Sequence, residues 1–360
     1  MPACNDSNTC KRFLTSVSVG SGDDMDKAVS DFWSPTKSMT VRKAWKLSME
    51  QLQKNGISEP EWSVPHLLAS ALHMPWSNGF CQLQQAIRNE NSSSSNKLAD
   101  RILTPSELAL YQSFIQRRLE HEPLQYILGK WDFLDYEELV VQTPLLCPRP
   151  ETEELVELVR QDIQKQQKLN NEIHGHSSCN ILEIGCGTGV IGIALADKVK
   201  DSKVTAIDIE PAAIEISLEN AKRVLGPDFG QRYSAVECSA QDFSLKDGTC
   251  FDVVVSNPPY IPQADMEYLS RDVIEYESDQ ALCGGEDGMD VIRTIIEKWA
   301  LEWGTKSPSM CWLEVDPTHP SLLDSWLDGE QEQKDVLGVK LEETHKDLSG
   351  RERFVKLTFR

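Results

Sequence analysis

The segment "NILEIGCGTGVIGIALADKV" (180–199) constrains the fold more than any other. A short apolar run carrying one acid, Glu183, meets a glycine cluster and then resumes at a helical period. Nearly continuous apolar strands belong to sheets that are covered on both faces. A strand that turns through glycines directly into a helix opens a βαβ unit. The pattern then repeats. "KVTAIDI" (203–209) reads as a strand and "PAAIEISLENAKRVL" (211–225) as a helix. "YSAVECS" (233–239) and "FDVVVSN" (251–257) read as strands, "MDVIRTIIEKWALEW" (289–303) as a helix, and "MCWLEVD" (310–316) as a strand. "VKLEETHKD" (339–347) and "RFVKLTF" (353–359) close the chain as an antiparallel pair. Strands alternating with helices predict an α/β domain with a doubly wound, mostly parallel sheet.

The glycine loop predicts a nucleoside-cofactor site. Gly187, Gly189 and Gly192 satisfy GxGxxG between a strand and a helix. Such a loop lets backbone approach a ligand closely and points helix N–H groups at it. Asp208 ends the next strand, about twenty residues on, where an acid grips ribose hydroxyls. A dinucleotide would place a pyrophosphate over the helix N-terminus. Glu183, just before the glycines, puts a carboxylate at the strand end, which suits a cationic ligand better. That favours S-adenosylmethionine.

"FDVVVSNPPYIPQ" (251–263) ends a strand on Asn257, Pro258, Pro259 and Tyr260. Carboxyl ends of strands in open α/β sheets are where ligands sit. A turn needs only one proline. Two fix the backbone and remove competing N–H groups. The Asn257 side-chain oxygen and the Pro258 carbonyl together suit both hydrogens of a planar –NH2 group, and Tyr260 suits packing on its face. An amide or aryl-amine nitrogen is a poor nucleophile because its lone pair is delocalised. Holding both hydrogens favours the transition state in which that lone pair localises and positive charge develops.

"NPPY" with "EIGCGTG" resembles the class I methyltransferases that act on planar nitrogens of nucleic-acid bases or protein glutamines. "EPLQYILG" (122–129), "PRPETEELVE" (148–157), "NPPYI" (257–261), "ALCGGEDGMD" (281–290) and "KDLSGRERFV" (346–355) are similar to the release-factor glutamine methyltransferases, the HemK/PrmC family. The resemblance runs over about residues 40–360. It implies a Rossmann-like domain with a seven-stranded sheet, preceded by a small helical domain that grips the substrate. It also implies methylation of the Gln side chain in the Gly-Gly-Gln motif of class I peptide-chain release factors. By position, Gly185, Cys186, Gly187, Thr188 and Gly189 would line the cofactor. Asp208 would hold its ribose, and Asp242 would lie near the adenine. Asn257, Pro258, Pro259 and Tyr260 would hold the substrate Gln, with Arg149 and residues 151–153, Glu151 among them, near the cleft. The family often carries Glu-Pro before "AL.GG", where this chain has Glu277-Ser278.

The expected organisation is an unstructured segment at 1–38, a helical substrate-recognition domain at 39–128, a hairpin connector at 129–148 and the methyltransferase domain at 149–360. In the helical part, "TVRKAWKLSMEQLQKNG" (40–56) stops at Asn55-Gly56, a helix terminator. "TPSELALYQSFIQRRLEHEP" (104–123) opens with Thr104 as cap, Pro105 in the first turn and Glu107 closing a capping box. Residues 164–178 read as a polar insert.

A net charge of -21 argues against a chain that lives on nucleic-acid backbone, which needs Lys and Arg. That weakens the alternative of a base methyltransferase more than the alternative of another protein glutamine, as on a ribosomal protein. Ten cysteines without a CxxC pair predict free thiols in a reducing compartment. His174 and His176 read as loop residues, and no metal site is expected. No run is long and apolar enough for a membrane span. Lys11 and Arg12 are outweighed by Asp6, Asp23, Asp24, Asp26 and Asp31, which makes a poor transit peptide. The resemblance nonetheless implies a mitochondrial or plastid enzyme serving bacterial-type release factors, with the cytoplasm as the alternative. A monomer is expected.

Overall fold

The computed structural model describes residues 38–88, 96–174, 178–245, 250–304, 309–329 and 336–360. The segment 1–37, the serine run at 91–95 and His176 lie outside these residues.

Helices Val41–Lys54, Pro60–Ala71, Gly79–Arg88 and Pro105–Leu119 build the first layer. Val41, Leu52, Val64, Leu67, Leu68, Leu83, Tyr111 and Ile115 fill its core. The capping box forms as the sequence predicts. Thr104 Oγ1 accepts from the Glu107 N–H, and the Glu107 carboxylate accepts from the Thr104 N–H. Asn55 ends the first helix, and Gly56 follows at φ 68°.

Lys130–Phe133 (β1) and Tyr136–Val140 (β2) form the antiparallel hairpin after the helical layer. The long helix Pro150–His174 comes next, so most of the expected 164–178 insert continues this helix. Its polarity is that of a helix, not of a loop.

The main sheet has seven strands. They are Cys179–Ile184 (β3), Ser202–Asp208 (β4), Tyr233–Glu237 (β5), Val253–Ser256 (β6), Met310–Glu314 (β7), Val339–Lys346 (β8) and Glu352–Phe359 (β9), in the order β5-β4-β3-β6-β7-β9-β8. All pairs are parallel except β7–β9 and β8–β9. The fold is thus the Rossmann-like α/β architecture expected.

Both faces are buried. Ile181, Val253 and Val255 pack under the helices Pro150–His174 and Val190–Lys198, whereas Leu182, Ile184 and Val254 pack under Asp290–Lys298. Successive strand residues point to opposite faces, so one strand serves two cores. The chain order reverses between β3 and β6, and a ligand crevice is expected outside their carboxyl ends.

Candidate active site

A cavity of about 350 Å³ opens there. It is walled by the loop after β3, the ends of β4 and β5, the end of β6 and the connector around Pro144–Pro148. Gly185, Cys186, Gly187, Thr188, Asp208, Asn257, Pro259 and Arg149 all face it.

The glycine loop owes its path to Asp208. One Asp208 oxygen accepts from the Gly187 N–H at 2.8 Å and the other from the Glu210 N–H at 2.9 Å. Burial pushes this carboxyl's pKa up, opposed by the N–H groups of Gly187, Glu210 and Ile209. Gly187 has φ 51°, and a Cβ built there would meet no atom within 4 Å. Gly187 lines the cavity, so this open space adjoins it. Gly189 lies outside the wall, at the N-terminus of the next helix, with φ 83°.

Glu183 is the clearest correction. The period-two alternation of β3 turns it away from the cavity, beneath the helix Val190–Lys198. It is fully buried against Gly192 and Tyr233, and a Cβ at Gly192 would lie 2.2 Å from Glu183 Oε2. Neither carboxyl oxygen has a partner at hydrogen-bond geometry. Burial pushes its pKa up to about 8. A neutral acid under the loop is not the cationic-ligand contact that strand-end position suggests.

Asp242 is not on the cavity wall either. It is exposed and accepts from Ser239 Oγ at 2.7 Å, while Ser239, Ala240 and Gln241 line the cavity in its place. Glu151 is partly exposed and faces Arg351 at 3.3 Å, outside the wall.

Asn257 stands at the end of β6. Its Nδ2 donates to Thr152 Oγ1 at 3.1 Å, leaving Oδ1 without a donor among the described residues. Pro258 is buried and off the wall, and Pro259 lines it. Tyr260 packs on the second core. Its hydroxyl accepts from Arg353 Nη2 at 2.6 Å and faces Glu314 Oε1 at 3.4 Å. Burial pushes its phenol up to about 12.

The glycines of "ALCGGEDGMD" brace this loop. Gly284 donates to the Ile261 carbonyl at 2.9 Å. A Cβ at Gly288, where φ is 78°, would lie 2.3 Å from the Tyr260 carbonyl. Only glycine admits that approach.

Three charged residues here escape sequence reasoning. Glu277 is buried and receives both its charge-assisted bonds from Arg149 Nη2, at 2.8 and 2.7 Å. The residue after it, Ser278, donates its N–H to the Pro144 carbonyl at 3.1 Å, a bond proline cannot make. Glu314 and Arg353 pair at 3.4 Å. The signal for Glu314 was present. It ends a parallel strand with an acid at the ligand edge, as Asp208 does.

Residues 43–129 match the PrmC N-terminal domain, and residues 175–287 match a methyltransferase domain. The human MTRF1L release factor glutamine methyltransferase is 34% identical over 305 residues, covering 85% of this chain and 83% of the relative. The chain belongs to the release factor glutamine methyltransferase family. The methyltransferase is also 34% identical to the Vibrio cholerae enzyme of that name, over 72% of this chain and 78% of the relative. The Koribacter versatilis enzyme is 30% identical, over 71% and 80%.

The cavity fits S-adenosylmethionine. Open space over the glycine loop, an acid at the second strand end and apolar walls from Val190, Ile191 and Ile209 suit a nucleoside. Among the described residues no cluster suits a metal ion, and no helix is long and apolar enough to cross a membrane.

Proposed function

We propose that this enzyme methylates the side-chain amide nitrogen of the Gln in the Gly-Gly-Gln motif of class I peptide-chain release factors. When bound, S-adenosylmethionine supplies an electrophilic methyl group on a sulfonium. The glycine loop from Gly185 to Thr188 would hold the cofactor backbone-first, and Asp208 would accept from its ribose. Asn257 Oδ1 accepts one amide hydrogen of the substrate Gln and the Pro258 carbonyl, on the peptide link to the wall residue Pro259, accepts the other, while Tyr260, anchored on the second core behind the wall, bounds the amide plane. Holding both hydrogens favours the localised lone pair that the transfer needs. No strong base is needed before attack, because the proton leaves the methylated nitrogen afterwards, to water.

The observation that carries this reading is Asn257 on the wall of the cavity bounded by the glycine loop, its amide nitrogen occupied by Thr152 and its oxygen free. The helical layer supports the assignment of a protein substrate. It is tied to the segment following NPPY by Arg118–Asp272 at 2.9 Å and by Tyr276, whose hydroxyl donates to the Glu120 carbonyl at 2.9 Å. We further place the enzyme in a mitochondrion or plastid, as the resemblance implies, with the cytoplasm as the alternative. A fluorescent fusion of the full chain decides between them.

The test incubates the enzyme with methyl-labelled S-adenosylmethionine and a bacterial-type release factor. The same factor with its motif Gln changed to Ala, and a mixed DNA/RNA substrate, run beside it. Label confined to the intact factor is expected. Equal label on the Gln→Ala factor, or label on nucleic acid alone, would refute the substrate assignment.

A further inference from the structure

One buried carboxylate reaches both ends of the NPPY loop. Glu314 ends β7, the neighbour of β6, and Ser256 pairs with Leu313 across them. Asn257 and Glu314 therefore leave the sheet side by side. Thr152, in the first turn of the helix Pro150–His174, sits between them. Its hydroxyl donates to Glu314 Oε2 at 2.8 Å and accepts from Asn257 Nδ2 at 3.1 Å. Both Thr152 and Glu314 are buried. The other carboxyl oxygen, Glu314 Oε1, faces the Tyr260 hydroxyl and Arg353 Nη2, each at 3.4 Å. The Arg353 guanidinium also lies 5.0 Å from the centre of the Tyr260 ring.

Hydrogen-bond direction along this chain is forced. Burial pushes the Glu314 carboxyl's pKa up, opposed by Thr152, Arg353 and Tyr260; paired with Arg353 as a carboxylate it only accepts, so the single Thr152 hydrogen is committed to Glu314. The hydroxyl can then only accept from Asn257, which must present its –NH2 to Thr152 and its oxygen to the cavity. An asparagine amide is otherwise free to turn over, because its two ends are nearly the same size. In the wrong orientation it would offer hydrogens to a substrate –NH2 group that offers hydrogens itself.

We infer that Thr152 and Glu314 are positioning residues that lock the Asn257 amide with its oxygen toward the substrate nitrogen, while Arg353 and Glu314 hold Tyr260. The inference rests on the proposed role of Asn257 and gives Thr152 of "PRPETE" and Arg353 of "SGRERF" a task beside NPPY. Thr152→Val keeps the shape and removes the relay. Thr152→Ser keeps the relay and removes only a methyl group. Glu314→Gln reverses the relay. Arg353 offers only hydrogens, so the new amide turns its oxygen to Arg353 and its –NH2 to Thr152. The threonine hydrogen then points at Asn257.

The experiment measures steady-state methyl transfer to the release factor, cofactor affinity by calorimetry and the Asn257 side-chain amide resonances by NMR. Those resonances are assigned by their loss in Asn257→Ala. Thr152→Val and Glu314→Gln are expected to lower kcat at least about tenfold, the loss of one well-placed hydrogen bond. Cofactor affinity should hold, and the Asn257 amide signals should shift. Thr152→Ser should recover most of the turnover lost in Thr152→Val and keep the wild-type amide signals. If Thr152→Val turns over like the wild type, or Thr152→Ser falls as far as Thr152→Val, the inference is overturned. Should Thr152→Val not fold, the Thr152→Ser and Glu314→Gln pair carries the same comparison. A wild type inactive on the release factor, with the amide signals still shifting in Thr152→Val and Glu314→Gln but not in Thr152→Ser, would refute the substrate assignment and uphold the lock. Unchanged amide signals in an active wild type and its variants would do the reverse.

Discussion

Glu183→Gln tests the claim that the acid before the glycines is a buried neutral carboxyl. In the folded chain its pKa lies at about 8 because burial disfavours the charge. In the unfolded chain it titrates at about 4.3. At roughly 1.4 kcal/mol per pKa unit, ionising it in place costs about 5 kcal/mol. The sign follows from proton binding. Between the two pKa values the folded state holds a proton that the unfolded state has released. Stability is therefore fully present below about pH 4 and falls as pH rises toward 8. From pH 5.5 to pH 7.5 this one group removes about 2.5 kcal/mol. Glutamine has the same shape and does not titrate. Its own hydrogen-bonding defect shifts stability by a constant and leaves no slope. Urea unfolding of both proteins at the two pH values is the assay. The difference between wild type and Glu183→Gln should change by about 2.5 kcal/mol in favour of the variant at the higher pH. Parallel pH profiles would show that Glu183 is ionised in the folded protein, and the burial argument would fail.

Asn257→Ala should lower kcat by about a hundredfold or more, as removing one preorganised polar group does, while calorimetry finds cofactor affinity kept. Equal loss of both would contradict its substrate role. Asp208→Ala should raise the S-adenosylmethionine Kd by about tenfold or more, since it removes a charged acceptor and frees the Gly187 N–H. An unchanged Kd would remove the ribose assignment. Arg149→Ala leaves the buried Glu277 without its cation and should cost about 3 kcal/mol of stability in urea unfolding at neutral pH. The loss should shrink at acid pH, where Glu277 takes up a proton.

Local patterning was enough for much of the architecture. Continuous apolar strands alternating with helices require a sheet covered twice, and the capping box and Asn55-Gly56 stop are short-range chemistry. The glycine loop, Asp208 and Asn257 were legible because strand ends face the ligand edge of such a sheet wherever the strands lie. Glu183 was misplaced by the same reasoning. Position at a strand end and direction of the side chain are different quantities, and the pleat sends residue 183 to the opposite side from residues 182 and 184. Counting alternation from Ile181 would have shown this.

Other features had no local signal. Arg149 and Glu277 are 128 residues apart, and Thr152 and Glu314 are 162 apart. Their pairing depends on which strand lies beside which, and so on the order β3-β6-β7-β9. Sequence determined that an amide with a rigid proline turn would stand at the edge of the sheet. Only the tertiary structure decided which way that amide faces, because its orientation depends on a hydrogen-bond chain through residues that meet only when the sheet is assembled.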